Sequence, residues 1–140
     1  MSAVFTRHET VRFGWCDFAG IMFFPRYFEL ANDTLEAWFG EKLGVTYARL
    51  HGELGWSVPT VRFDADFRAA SRMDDKLQID LTVEKLGGSS CTLKLCMHSG
   101  GEVRFFGRQV IVLTDRAALR PRAWPEDLRA RIAPCVEEPA

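Results

Sequence analysis

The chain has 140 residues, of which 47% are apolar and 26% charged, so one domain over residues 1–140 with its own hydrophobic core is expected. The 18 basic and 19 acidic residues nearly cancel, which argues against the positive field of a protein that binds nucleic acid. There is no apolar run of about 20 residues and no signal-peptide core at the N-terminus, so we expect a cytoplasmic protein that binds no membrane.

The first half of the chain contains one predicted strand and two predicted helices. Alternating polar and apolar residues predict a strand over residues 10–15, and a glycine-containing loop follows from Asp17 to Pro25. Pro25 suits the first turn of a helix, and the apolar spacing after it predicts an amphipathic helix over about residues 26–42. A shorter helix is predicted over residues 47–53. The apolar stripe of the first helix comprises Phe24, Phe28, Ala31, Leu35, Trp38 and Phe39.

From Ser57 onward the apolar period changes to two, which predicts four further strands. Acidic and glycine pairs at 74–75, 87–88 and 100–101 mark turns, and an antiparallel meander follows from them. A terminal helix is predicted after Trp124. The four strands contain the apolar residues of 61–67, 77–83, 91–97 and 103–112.

One strand, one helix and four antiparallel strands describe an α+β domain. The sheet has to wrap around the helix, because both have an apolar face to bury. The arrangement resembles the hotdog fold, in which an antiparallel sheet of about five strands is wrapped around a long central helix. A single sheet of this kind leaves edge backbone groups unpaired, so we expect a homodimer or a homotetramer.

The loop before the first helix carries the motif D-x-A-G-[aliphatic]-x-x-x-P-x-Y, which here begins at Asp17 and ends at Tyr27. With this motif, the chain resembles the hotdog acyl-CoA thioesterases, in particular the 4-hydroxybenzoyl-CoA thioesterase type, over about residues 9–132. The resemblance implies an acyl-CoA substrate. It implies no cofactor beyond the CoA of the substrate, and the scattered cysteines and histidines predict no metal site.

The motif also makes chemical sense residue by residue. Thioester hydrolysis needs a carboxylate that attacks the carbonyl or activates water, and Asp17 can supply it. It also needs donors for the developing negative charge, and the unpaired N–H groups at a helix start supply them. Because Pro25 has no N–H, Phe24 is the predicted donor, as the resemblance also indicates. Gly20 lets the loop fold toward the helix start. The alternative is that Asp17 only caps a turn.

Further residues are predicted to bind the substrate. Asn32 lies on or beside the apolar stripe, at the position where aryl-specific relatives have a carboxylate that holds a ring hydroxyl; it could equally bond the backbone or a partner subunit. Arg120 matches a phosphate-binding arginine of the family, and Arg122 lies close enough to assist. The complete substrate-binding set is Gly20, Pro25, Tyr27, Asn32, Pro59, Ser89, Ser90, Arg120 and Arg122, with Asp17 and Phe24 as the catalytic pair.

Two alternatives would use the same cleft. A non-catalytic acyl-CoA-binding module would bind the thioester without turnover. A dehydratase or hydratase of this fold would need a histidine with a carboxylate, and neither the loop nor the first helix contains a histidine. An assay of thiol release separates these alternatives from a thioesterase.

Overall fold

The computed structural model of the protein describes residues 4–137. Within this range, Arg49–Glu53 forms a π-helix, and Phe13–Trp15 and Ala133–Cys135 form 3-10 helices. The strands are β1 (Phe5–Thr10), β2 (Trp56–Ser57), β3 (Thr60–Phe67), β4 (Lys76–Leu86), β5 (Ser90–Ser99), β6 (Glu102–Val112), β7 (Thr114–Asp115) and β8 (Arg120–Pro121). The α-helices are α1 (Pro25–Glu41) and α2 (Glu126–Ile132).

The main sheet is antiparallel and has five strands in the order β1-β4-β5-β6-β3. The predicted five strands are therefore confirmed, and β4, β5 and β6 form the predicted meander. The meander does not include β3, because β3 pairs with β6 and the chain then crosses the sheet to reach β4. A second sheet in the order β2-β7-β8 was not predicted, since strands of two residues are too short to show a period.

The first strand differs from its prediction. It covers Phe5–Thr10 instead of residues 10–15, and the chain leaves the sheet at Val11, whose N–H donates to the Asp75 carbonyl at 2.9 Å. Residues Phe13–Trp15 then coil into the 3-10 helix. The alternation over residues 10–15 misleads because Phe13, an apolar residue of that pattern, is 80% exposed.

Helix α1 begins and ends one residue before its predicted limits. Its 17 residues span about 26 Å, so it is a helix of moderate length and not the long one that was expected. Gly44, with a φ of +72°, lies beyond its end, where the left-handed backbone closes a helix at little cost. The buried face of α1 consists of Tyr27, Leu30, Ala31, Thr34, Leu35, Trp38 and Phe39.

Aromatic rings fix the start of α1 against the sheet. The ring of Tyr27 stacks on Phe105 of β6 with the centroids 5.3 Å apart, and Phe28 meets Phe63 of β3 edge-on at 4.9 Å. Phe67, at the end of β3, meets the edges of these rings as well. Such pairs add stability beyond the area they bury, so this aromatic cluster holds the start of the helix against the sheet.

The other face of the sheet is polar. Arg108 makes two hydrogen bonds to the Glu84 carboxylate, at 2.8 and 2.9 Å, and His98 lies 2.9 Å from Asp80. These groups alternate with the buried residues along each strand, as a half-solvated antiparallel sheet requires. No helix within residues 4–137 is long and apolar enough to cross a membrane.

We predict that Gly107→Ala destabilises the protein. A Cβ atom at Gly107 would lie 2.7 Å from the Phe63 ring and 2.9 Å from the Phe105 ring, so the aromatic cluster would have to shift. The free energy of unfolding in urea should fall by about 1–3 kcal/mol. The control is Gly88→Ala, where a Cβ meets nothing within 4 Å. Equal stability of the two variants would contradict this assignment.

Candidate active site

The loop before α1 folds into a narrow hairpin. The N–H of Asp17 donates to the Ile21 carbonyl at 2.9 Å, and the N–H of Phe23 donates to the Trp15 carbonyl at 2.8 Å. The turn between them contains Gly20 with a φ of +79°, a conformation that favours glycine. The predicted loop glycine thus has the expected conformational role, and the hairpin brings the chain back to the start of the helix.

The second strand of this hairpin is held from the other side by Ser71. The Ser71 carbonyl accepts the Met22 N–H at 2.8 Å, and its hydroxyl accepts the Tyr27 hydroxyl, also at 2.8 Å. Ser71 is fully buried and Tyr27 nearly so. Burial raises the pKa of Tyr27, which keeps its hydroxyl protonated as the donor. The structure therefore places Tyr27, a predicted substrate-binding residue, in the core, where its hydroxyl bonds a side chain.

An ion pair fixes the segment that contains Ser71. The Arg104 guanidinium lies 2.7 Å from the Asp75 carboxylate and also donates to the Ala70 carbonyl at 3.0 Å. The hydrogen bond from Arg104, together with one from the Arg72 N–H, holds the pKa of Asp75 below its usual value. The carboxylate therefore stays ionised at neutral pH, and the segment keeps its place beside the hairpin.

One backbone N–H at the start of α1 is left without an acceptor. The N–H groups of Phe23 and Arg26 donate to carbonyls of the chain, and Pro25 has none. Within residues 4–137, the Phe24 N–H makes no hydrogen bond, and no side chain caps the helix. This N–H lies at the positive end of the helix, where a developing negative charge is stabilised.

The Asp17 side chain is exposed at the tip of the hairpin. Its Oδ1 atom accepts the Ala19 N–H at 2.8 Å, so Asp17 does cap a turn, as the alternative interpretation expected. The same bond fixes the carboxylate, and within residues 4–137 nothing bonds its second oxygen. A fixed carboxylate with one free oxygen can still act as a nucleophile or a base.

A mostly apolar cavity of about 320 Å³ adjoins Phe24. Arg68 is the one charged residue among those that line it, so the cavity suits a mostly apolar chain or ring. The cavity is lined by Ile21, Met22, Phe24, Tyr27, Phe67, Arg68, Ala69 and Ala70.

Asn32 and Pro59 lie together at a second cavity, of about 360 Å³. Asn32 is exposed, although its place beside the apolar stripe suggested a buried amide. Its partner is Gln109, whose Nε2 atom lies 3.3 Å from the Asn32 Oδ1 atom. We did not predict Gln109, but the inward-facing series Phe105, Gly107, Gln109 and Ile111 of β6 contains this single polar residue.

The predicted CoA-binding residues also lie together. The Leu113 N–H donates to the Ser89 carbonyl at 2.7 Å, and the Leu113 carbonyl accepts the Arg122 N–H at 2.9 Å. The turn at Ser89 and Ser90 is thereby next to the segment that contains Arg120 and Arg122. The Arg122 guanidinium lies 4.3 Å above the Trp56 ring, which holds it by a cation–π contact.

The predicted residues form three groups within one protomer. The group of Asp17 and Phe24 adjoins Phe67, at the end of β3, whereas the group of Asn32 and Pro59 adjoins the start of that strand. The eight residues of β3 span roughly 24 Å. Ser89, Ser90, Arg120 and Arg122 form the third group. Within residues 4–137, no three His, Cys, Asp or Glu side chains are close enough to hold a metal ion.

The chain matches a known protein family over most of its length. Residues 11–132 match the thioesterase-like superfamily. A 1,4-dihydroxy-2-naphthoyl-CoA hydrolase of Prochlorococcus marinus (strain NATL2A) is 29% identical over 101 residues, which cover 67% of this chain and 64% of that relative. The chain thus spans less than two thirds of the length of this relative.

Solved structures of thioesterases share the fold. A thioesterase-superfamily protein from Jannaschia sp. CCS1 superposes with a TM-score of 0.90 at 24% identity and covers 97% of this chain and 95% of its own. The gentisyl-coenzyme A thioesterase BH1999 superposes with a TM-score of 0.80 at 25% identity, over 91% of this chain and 98% of its own. The fold that the sequence motif implied is therefore the fold of these proteins.

We predict that Tyr27→Phe lowers the free energy of unfolding by about 1–3 kcal/mol, because it leaves the buried Ser71 hydroxyl without its donor. Adding Ser71→Ala should cost less in the Tyr27→Phe background than in the wild type, since the two hydroxyls share one bond. Tyr47→Phe is the control, because within residues 4–137 the Tyr47 hydroxyl makes no hydrogen bond. Additive losses in chemical denaturation would contradict the assigned pair.

Proposed function

The chain belongs to the thioesterase-like superfamily, and we propose that it is an acyl-CoA thioesterase that hydrolyses an aryl or medium-chain acyl-CoA to the free acid and CoA. The observation that carries the proposal is the Phe24 N–H at the start of α1, in the same loop as the Asp17 carboxylate. Among the described residues 4–137, this N–H has no acceptor. A thioester carbonyl needs this combination of one donor for its oxygen and one carboxylate for its carbon.

The proposed mechanism begins with the thioester carbonyl accepting the Phe24 N–H. As the carbonyl carbon is attacked, negative charge collects on this oxygen, and the N–H and the helix dipole stabilise it. In one route the Asp17 carboxylate attacks, the C–S bond breaks, and CoA leaves as a thiolate that takes up a proton. Water then hydrolyses the aspartyl anhydride. In the other route Asp17 removes a proton from the water that attacks. Both routes yield the free acid and CoA.

The acyl group is proposed to be aromatic or of medium length. Two of the similar proteins are named for their substrates, and both substrates have aromatic acyl groups. They are the 1,4-dihydroxy-2-naphthoyl-CoA hydrolase and the gentisyl-CoA thioesterase. The apolar cavity beside Phe24 has the volume for a ring. The resemblance described above implies a carboxylate at position 32 in aryl-specific thioesterases. Because this chain has Asn32 there, we propose an aromatic substituent other than the hydroxyl that such a carboxylate would hold.

The CoA moiety is proposed to bind at the turn of Ser89 and Ser90. The neighbouring Arg120 side chain is exposed, and Arg122 is held over the Trp56 ring. A guanidinium group bonds two phosphate oxygens at once, so these arginines suit the phosphates of CoA. The reaction we propose needs no metal and no cofactor, because the carboxylate and the helix start supply its chemistry.

We further propose that the active unit is a homodimer, alone or within a tetramer. Strand β3 lies at the edge of the sheet, with Val61 61% exposed and Phe67 49% exposed. An edge of this kind pairs readily with another strand. Antiparallel pairing of two β3 strands about a two-fold axis would set the start of one strand beside the end of the other. The Asn32 group of one protomer would then adjoin the Asp17 hairpin of its partner.

The histidines do not favour the dehydratase alternative. The His51 ring lies 2.8 Å from the Tyr47 carbonyl, and the His98 ring bonds Asp80 on the polar face of the sheet. Neither residue belongs to the hairpin or to the cavity beside Phe24. The binding-module alternative is separated from the thioesterase by turnover alone.

We predict that Asp17→Asn lowers kcat by about 100-fold or more, since the amide cannot act as a nucleophile or base. The measurement is the release of CoA thiol from a panel of aryl and medium-chain acyl-CoAs. The fold should persist, because an Asn side-chain oxygen can still accept the Ala19 N–H.

The matched control is Asp127→Asn at the exposed start of α2. Activity of Asp17→Asn within a few-fold of wild type would remove Asp17 from the mechanism. Absence of CoA release by the wild-type protein, with retained acyl-CoA binding, would establish the binding-module alternative. Single turnover in ¹⁸O-water distinguishes the two routes, because only direct attack transfers the label to Asp17.

We predict that Val61→Asp weakens the dimer, because it places a charge at the exposed edge where two β3 strands would meet. Light scattering of the wild type at micromolar concentration should give at least twice the 15.9 kDa mass of the chain. Val4→Asp is the control, since Val4 is exposed to a similar extent, at 51%, beside the opposite edge strand. A fully active wild-type monomer would refute the proposed assembly.

A further inference from the structure

Within residues 4–137, Gln109 is the one fully buried polar side chain of the five-stranded sheet, and it is incompletely bonded. Gln109 lies in the inward-facing series of β6 between Phe63 of β3 and Leu93 of β5, and it is fully buried. Its Oε1 atom has no hydrogen-bond partner within residues 4–137. A buried amide with an unpaired oxygen destabilises the folded state relative to a hydrocarbon side chain of the same length. The fold alone therefore gives no reason for a glutamine here.

The nitrogen of Gln109 makes two bonds that leave the core. Nε2 donates to the Thr60 hydroxyl at 2.8 Å and to the Asn32 Oδ1 atom at 3.3 Å. Gln109 thereby joins the first residue of the edge strand β3 to the exposed amide on α1. Asn32 and Thr60 both line the cavity of about 360 Å³.

This contact fixes the orientation of the Asn32 amide relative to Gln109. With Oδ1 turned toward Gln109, the Nδ2 group is turned away from it. Within residues 4–137, Nδ2 makes no hydrogen bond. An amide nitrogen carries two donors and no acceptor. Asn32 therefore presents donors to any group that enters this cavity.

We propose that Gln109 is a positioning residue that sets the substrate preference: it holds Asn32 as a donor, so that the enzyme selects an acyl group with a hydrogen-bond acceptor at its distal end. Ether, carbonyl and nitro oxygens belong to this class, whereas an amino group, which mainly donates, does not. The inference rests on the thioesterase function and on the dimer proposed above, in which the Asn32 group of one protomer adjoins the Asp17 hairpin of its partner. A carboxylate at position 32 would do the reverse and accept a bond from the substrate.

The test compares 4-methoxybenzoyl-CoA with 4-ethylbenzoyl-CoA, whose substituents are alike in size but differ in the acceptor. The wild type should show a kcat/KM at least about five-fold higher for the methoxy substrate, and no preference for 4-aminobenzoyl-CoA over 4-methylbenzoyl-CoA. Gln109→Met keeps the length of the side chain and removes the donor. It should bring the methoxy-to-ethyl ratio within about two-fold of one, while kcat/KM for the ethyl substrate stays within about two-fold of wild type.

Two further variants separate positioning from a structural effect. Asn32→Ala, on the surface, should abolish the methoxy preference as well, and Gln109→Met should have no additional effect in that background. This variant also tests the inference if Gln109→Met fails to fold. Gln78→Met, on the opposite face of the same sheet, should leave the ratio unchanged.

A binding experiment separates this inference from the proposed function. Calorimetry measures the binding of two non-hydrolysable thioethers, 4-methoxyphenacyl-CoA and 4-ethylphenacyl-CoA. Tighter binding of the methoxy compound, lost in Gln109→Met, supports the inference even if no thioester is hydrolysed, in which case only the thioesterase function fails. The inference would be overturned by hydrolysis without a methoxy preference, or by a preference for the amino substrate. It would also be overturned if Gln109→Met lowered activity equally for all substrates, or if the protein bound neither thioether. A change in dimer dissociation in place of the substrate ratio would also overturn it.

Discussion

The candidate site depends on the way in which α1 begins. A helix start leaves N–H groups unpaired, and side-chain caps usually satisfy some of them. Here Phe24 precedes the helix and cannot cap it, Pro25 has no N–H to satisfy, and the neighbouring N–H of Phe23 is used by the hairpin. In the part of the chain that the structure describes, the Phe24 N–H is the one donor left unpaired there, next to a cavity and in the same loop as a carboxylate. The surrounding contacts serve to hold this donor in place.

Two buried polar side chains, Ser71 and Gln109, hold two groups of candidate site residues in place. Ser71 bonds both the hairpin, through Met22, and the first turns of α1, through Tyr27. Gln109 joins Asn32, two turns further along the helix, to the edge strand. A polar group in an apolar core destabilises the folded state unless it is paired. We therefore interpret Ser71 and Gln109 as residues that fix the positions of the groups they bond. The aromatic cluster between them provides the rigid surface on which α1 lies.

The edge strand β3 links the site to the proposed assembly. Its end adjoins the cavity at Phe24 and its start adjoins the cavity at Asn32. Within one protomer the two cavities are therefore separated along the strand and along the helix. Pairing of the two β3 edges about a two-fold axis would bring the start of one strand beside the end of the other. The cavity at Asn32 of one protomer would then adjoin the cavity at Phe24 of its partner.

The sequence by itself determined the elements whose pattern is local. The limits of α1 follow from Pro25 and the spacing of its apolar residues, and the strands of the meander follow from their alternation, because a period of side chains depends only on neighbours in the chain. The catalytic candidates were equally visible, since the motif from Asp17 to Tyr27 is contiguous. The 3-10 helix at Phe13–Trp15 was missed because a short alternating run does not distinguish a strand from a turn.

Only the tertiary structure decided the contacts between distant segments. No local pattern shows that β3 pairs with β6. Nor does a local pattern show the hydrogen bond between Tyr27 and Ser71, which are 44 residues apart, or the one between Asn32 and Gln109, which are 77 residues apart. The unbonded state of the Phe24 N–H is also a tertiary result, since it depends on which carbonyls the hairpin and the helix bring near it. The sequence specifies which groups can react, and packing over long separations decides which of them remain free to do so.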